Sequence, residues 1–448
     1  MHGFDVSRHF GTKPSNKIFL RGDSISLSRL IFFFWLLWTF IFAGPADRYF
    51  GMSLMVIWIG LYVPIVLLFI FWFFHRLLLS NRQMSRYPII CITLFIVYIC
   101  ISAIASETKL YPFLIGIRDY FKYILLLFPM SLLFKDNKTV KNVLSLSLVI
   151  IVIQLLMIFY QFIYESHMLP NDRNCGTLGF SGTGEMMLLL TYIFCTVVSL
   201  RFRGYLTRGR LVVIVSCFSL MIYMGGAYAV FLFFPFAALT MAVVFVERKW
   251  KIRRFLYVSS IVIFIVCFFN YGGMDWLRSS SNSTVQGVTY GVEVAVGLKG
   301  DLTKTAGRLY QLKQVSRSSN QSIFGHGFAS NVGSFHDRIL YRYSNPFFNF
   351  YSTSVISAIY EIGIIGICLY LLIVFSLGYE VYRHRKLFQA RFWRGLFYSY
   401  YGCITIYIIG GFYQKEWTNT WSGFIFWFYT AIMIGHILQQ SGRIIMER

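Results

Sequence analysis

Two neighbouring stretches mark the turning point of this chain: TAGRLYQLKQVSRSSNQSIFGHGFASN (Thr305 to Asn331) and FHDRILYRYSNPFFNFYSTSVISAIYEIGIIG (Phe335 to Gly366). The first is polar and punctuated by glycine. The second begins charged and aromatic and ends as an apolar run. Together they close a polar excursion that opens at Gly272, and on both sides of it the chain is a series of apolar runs. Polar, irregular backbone has no partners in hydrocarbon, so this excursion belongs in water. In a chain otherwise given to lipid, such a loop is the natural seat of soluble chemistry or recognition.

Composition agrees with that division. Of the 448 residues, 57% are hydrophobic and 13% charged, too apolar a balance for a water-soluble globule of this length. Apolar runs of roughly 18 residues or more recur, the length that crosses a hydrocarbon core of about 30 Å. The expected fold is an all-α polytopic integral membrane protein with about twelve transmembrane helices. Their approximate limits are 25–44, 52–74, 88–105, 114–134, 143–163, 184–200, 211–226, 227–246, 255–271, 351–376, 395–412 and 421–438. Residues 1–271 are expected to hold helices one to nine with short loops. Residues 272–350 form one large external loop with a short amphipathic helix, and 351–448 hold helices ten to twelve and a tail. No signal-peptide cleavage pattern precedes the first run, so that span is expected to be retained.

A formal charge of +23 would ordinarily suggest a nucleic-acid partner, but its placement argues otherwise. Both termini and alternate connections, among them KDNKTVK (135–141), RFRGYLTRGR (201–210) and ERKWKIRR (247–254), hold 27 of the 41 Lys and Arg and 6 of the 18 Asp and Glu. The positive-inside rule puts these connections and both termini in the cytoplasm, and no nucleic acid is expected. Basic segments at both ends of residues 211–246 require that run to leave and return. Gly225-Gly226 is the natural turn between two short spans. Only Cys175 lies in an expected external loop, so no disulfide framework is anticipated, and no His/Cys spacing suggests a metal site.

Several positions stand out along the chain. Arg118 and Lys122 share a helix face near the outer surface, with Asp119 beside Arg118. They either snorkel to headgroups or hold an anionic lipid headgroup, and the planar fork of Arg118 makes it the better phosphate ligand. The loop ESHMLPNDRNCGTLGFSGTGE (165–185) carries Arg173 as its one basic residue, and Gly182 and Gly184 open the next helix. Residues 287–300 alternate apolar and polar, suggesting a strand or an extended segment. From Thr303 the period becomes helical: Leu309, Leu312 and Val315 form a stripe opposite Lys304, Arg308, Lys313 and Arg317. FGHGF (324–328) ends this helix with a turn.

The order of these features resembles the O-antigen polymerase (Wzy-type) and O-antigen ligase family of bacterial envelope glycan enzymes. Gly307-Arg308-Leu309, then FGHGF, then an aromatic segment leading into YEIGIIG (360–366) follow the family's order. RNCGTLGFSGTGE around Arg173 resembles its earlier Arg-x-x-Gly loop, and the double-glycine hairpin has a counterpart there. The likeness covers about the last third of the chain and the 170–185 loop. Two departures matter. Ser352, eleven residues before Gly363, stands where family ligases place a His-containing pair, and the MGGA hairpin tip lacks an Arg.

The resemblance implies a surface-polysaccharide polymerase at the periplasmic face of the bacterial inner membrane. It would move a growing glycan from undecaprenyl pyrophosphate to a lipid-linked repeat unit. Pyrophosphate would be held by Arg308, Arg173 and Arg118, since arginine suits the charge that builds on the leaving group. The acceptor hydroxyl would lose its proton to Asp337, His336 or His326, in that order of preference, with Glu361 in reserve. The resemblance implies no cofactor or metal. The implied partners are the undecaprenyl-pyrophosphate-linked oligosaccharide, membrane lipid and a chain-length regulator protein. The alternatives are a ligase-type glycosyltransferase and, from a different class, a lipid-linked oligosaccharide flippase. Against the flippase, no internal repeat is visible and the mid-span regions are nearly free of ionisable residues.

Overall fold

The computed structural model describes residues 17–42, 45–46, 50, 52, 54–79, 86–135, 137–164, 183–225, 230–245, 279, 321–328, 353–413, 417 and 422–446. The expected span at 255–271, the 287–300 segment, the amphipathic helix from Thr303, and Arg173, Arg308, His336 and Asp337 lie outside the described residues. Helices occur where the apolar runs place them. In chain order they are α1 (Lys17–Leu37), α2 (Leu54–Leu79), α3 (Arg86–Ala105), α4 (Leu110–Leu133), α5 (Asn137–Tyr164) and α6 (Thr183–Phe202). Then come α7 (Arg208–Gly225), α8 (Val230–Phe245), the single turn α9 (Gln321–Phe324), α10 (Ser354–Arg383), α11 (Arg391–Tyr413) and α12 (Ser422–Met446). Residues 211–246 thus form two helices, the first ending at Gly225, and both pack against α6.

The described residues contain no strand. Four helices, α3, α5, α10 and Arg391–Phe412 of α11, are long and apolar enough to cross a membrane. Their outward faces make the same point. On α3 the exposed residues Ile90, Leu94, Val97, Ile101 and Ile104 recur at helical spacing, while Cys91, Phe95 and Ile99 face inward. A helix apolar on its outer and inner faces alike suits hydrocarbon on one side and protein on the other. The described residues form helices and turns, and the apolar helices are those of a membrane-embedded protein.

The core is built around α12, which packs against α4, α6, α10 and α11. Polar groups there are joined to one another. The Thr196 hydroxyl of α6 meets Ser399 of α11 at 2.7 Å and also contacts the Tyr429 hydroxyl of α12. Tyr370 of α10 meets Tyr407 of α11 at 2.6 Å, and the Trp427 indole donates to Tyr407. Away from water each unpaired polar group would be penalised, so these pairs set the register of neighbouring helices as well as filling space. At the end of α1 the chain loosens into a π turn (Trp38–Phe42), and the buried Gln154 of α5 donates its amide to Phe40 O at 2.9 Å. That bond satisfies one of the carbonyls a helix end leaves without an internal partner.

Candidate functional site

The site begins with a break in α10. Thr353 starts this helix by accepting the Ile356 amide on its side chain at 3.3 Å. Ten residues later Gly363 adopts φ 65°, ψ −176°, a conformation essentially reserved for glycine. The helix kinks there, and its ladder of carbonyls opens on one side.

FGHGF fills that opening. The His326 amide donates to Tyr360 O at 2.7 Å, and the Gly327 amide donates to Glu361 O at 3.2 Å. The next carbonyl, Ile362 O, accepts the Tyr98 hydroxyl of α3 at 2.7 Å. Tyr98 therefore satisfies from α3 a carbonyl at the break. It also donates to Phe324 O at 3.2 Å, tying the short turn α9 to both helices. Three successive carbonyls at the break are thus satisfied from outside the helix, as burial requires.

Contact this close demands glycine on both sides. A Cβ on Gly363 would lie 2.3 Å from Ile323 O, and a Cβ on Gly325 (φ 80°) would lie 2.5 Å from Glu361 O. The far end of the loop is fixed by Phe328, fully buried against Phe113 and Tyr120 of α4. Its carbonyl accepts the Thr108 hydroxyl at 3.2 Å.

Two ionisable groups sit at this junction. The Glu361 carboxyl is buried and accepts the Tyr120 hydroxyl at 3.2 Å. His326 is half-buried, with its ring stacked on Tyr360 at a centroid distance of 4.1 Å and an interplanar angle of 18°. Its Nδ1 lies 3.2 Å from Tyr360 O. A carbonyl can only accept, so in the neutral ring the proton resides on Nδ1 and Nε2 carries the lone pair. The ring is oriented, and its other nitrogen is in the state a proton acceptor needs.

Arg118 lies on the same helix as Tyr120 but turned about 200° from it. Its Nε bonds Asp119 at 2.9 Å and its guanidinium lies 5.3 Å from the Tyr62 ring centroid of α2. Lys122, expected on the same outer face, is buried, with Nζ 5.1 Å from the Tyr123 ring centroid. Tyr98 and Tyr120 carried no signal in the sequence, where each reads as one more aromatic in an apolar run. Among the described residues no group of three or more His, Cys, Asp or Glu could hold a metal ion.

No protein-family model matches this chain, and no curated protein does.

Proposed function

We propose that this protein is a surface-polysaccharide polymerase of the O-antigen type. It transfers a growing glycan from undecaprenyl pyrophosphate to the hydroxyl of a lipid-linked repeat unit. The observation that carries the reading is the docking of FGHGF into the break of YEIGIIG, two segments whose order already resembles that enzyme family. This junction anchors the end of the large polar loop to a membrane helix. It holds an oriented imidazole beside the break in α10. The arrangement raises His326 beside Asp337 and His336 as the base that takes the acceptor proton. Arg308, Arg173 and Arg118 are proposed to bind pyrophosphate, with Arg308 first because it lies in the segment leading to FGHGF. Twelve spans, cytoplasmic termini and a periplasmic site in the bacterial inner membrane complete the proposal, with a chain-length regulator protein as a partner.

Deleting the gene and examining the glycans tests it. Polymerisation follows flipping and precedes transfer to the final acceptor. Its loss leaves flipped single units that a separate ligase still attaches, giving an acceptor capped with one repeat and no ladder. Long polymer accumulating on the polyprenyl carrier would instead identify a ligase. A bare acceptor with single units on the cytoplasmic leaflet would identify a flippase. Restoring the gene with Arg308→Lys keeps the charge but removes the bidentate fork, and the ladder should stay absent although the protein is inserted.

A further inference from the structure

A second feature lies away from the helix break. Between α5, α6 and α12, with the end of α1 and Ile214 of α7 at its sides, runs a cavity of about 130 Å³. Along α6 it is lined by Leu189, Ile193, Thr196, Val197 and Leu200, one stripe of the helix. The eleven steps from Leu189 to Leu200, at about 1.5 Å each, make that stripe roughly 16 Å long, about the depth of one leaflet of a hydrocarbon core of about 30 Å. The cavity is a slot parallel to the helices, unlike a rounded void.

Its lining is apolar in effect as well as in composition. The polar residues on its wall are already engaged: Ser147 bonds Val143 O at 2.9 Å, and Thr196 bonds Tyr192 O at 3.0 Å while also meeting Ser399 and Tyr429. Ordered water needs two to four polar partners, and this wall offers little to hold it. The slot is also incompletely walled. Leu148 at its side is 47% exposed, and Leu144, Ile193 and Ile214 are half-buried, so the opening faces outward between α5 and α7.

One end reaches the connection between α6 and α7, where Leu200 and Leu206 line it. That connection is RFRGYLTRGR (201–210), which contains four arginines and no acid. Arg208 and Arg210 are exposed on the first turn of α7, where amides and helix dipole also favour an anion. Lys138 and Lys141 are exposed on the first turns of α5, the other wall of the opening. A leaflet-deep apolar slot ending at a cluster of cations matches a molecule with one anionic end and a hydrocarbon tail.

We propose that this slot seats an acyl chain of an anionic phospholipid, with its phosphate at the α6–α7 turn. It would be a lipid site at the basic end of the protein, separate from the junction at Gly363 and independent of the reaction proposed there. Binding there would wedge a chain against the Thr196–Ser399–Tyr429 contacts that join α6, α11 and α12.

The test is native mass spectrometry of the full chain in detergent, titrated with phosphatidylglycerol or with phosphatidylcholine of the same chains. The wild type should hold one phosphatidylglycerol at least about tenfold more tightly than phosphatidylcholine. Ile193→Trp fills the slot and should lose that tight copy. Arg208→Gln with Arg210→Gln should erase the preference between the two lipids. Glycerol phosphate, the headgroup without chains, should not compete. Thermal unfolding checks that the variants are folded, and Leu148→Trp at the mouth replaces Ile193→Trp if that variant does not fold. The proposal is overturned if the Trp variant retains phosphatidylglycerol as the wild type does, if phosphatidylcholine binds equally, or if glycerol phosphate displaces the lipid.

Discussion

Replacing Gly363 with alanine should undock FGHGF from α10 without unfolding the rest of the protein. Alanine at φ 65°, ψ −176° is strained by about 1–3 kcal/mol. Its methyl would also sit 2.3 Å from Ile323 O and 2.5 Å from the Gly325 amide, distances that force the two backbones apart. Separation breaks the bonds from the His326 and Gly327 amides to Tyr360 O and Glu361 O, each worth about 0.5–1.5 kcal/mol net. The docked state therefore loses roughly 2–6 kcal/mol, or a factor of about thirty to about twenty thousand in the docking equilibrium. Hydrogen exchange reads this directly, because the His326 and Gly327 amides are protected only while docked. In lipid nanodiscs, exchange at these two amides should accelerate by at least about thirtyfold in Gly363→Ala, with little change in the amides of α12. Gly209→Ala is the control. Nothing lies within 4 Å of a Cβ there, and alanine in that helix should be neutral or slightly stabilising. Unchanged exchange at His326 and Gly327 in a folded Gly363→Ala protein would show that the glycine contact does not hold the loop.

Two further substitutions probe the same junction. Tyr98→Phe keeps the ring but removes the hydroxyl that donates to Ile362 O, so it should destabilise the docked loop by about 1–3 kcal/mol; an unaltered thermal midpoint together with unaltered exchange of residues 321–328 would refute the bond. Tyr120→Phe and Glu361→Gln, made singly and together, should show a coupling of at least about 0.5 kcal/mol in unfolding, because the two side chains share a buried hydrogen bond; additive effects would mean that the 3.2 Å contact contributes nothing.

The order and approximate ends of the helices were legible in the sequence. Apolar runs of membrane length must hydrogen-bond internally, and helix is the form a single run can adopt. The interruption between α7 and α8 falls where the basic flanks of the apolar run and the pair Gly225-Gly226 led to the expectation of a turn. The sequence also set FGHGF and YEIGIIG in suggestive order. It could not say that they touch. A glycine inside an apolar helical pattern reads as tolerated helix, so only the tertiary structure made Gly363 a break and matched it to Gly325. The same limit hid Tyr98, Tyr120 and the burial of Lys122. In a water-soluble helix, polarity separates the inner face from the outer. In a membrane helix both faces are apolar, so which residues meet the core is decided by packing between helices and is not written in the pattern of any one of them.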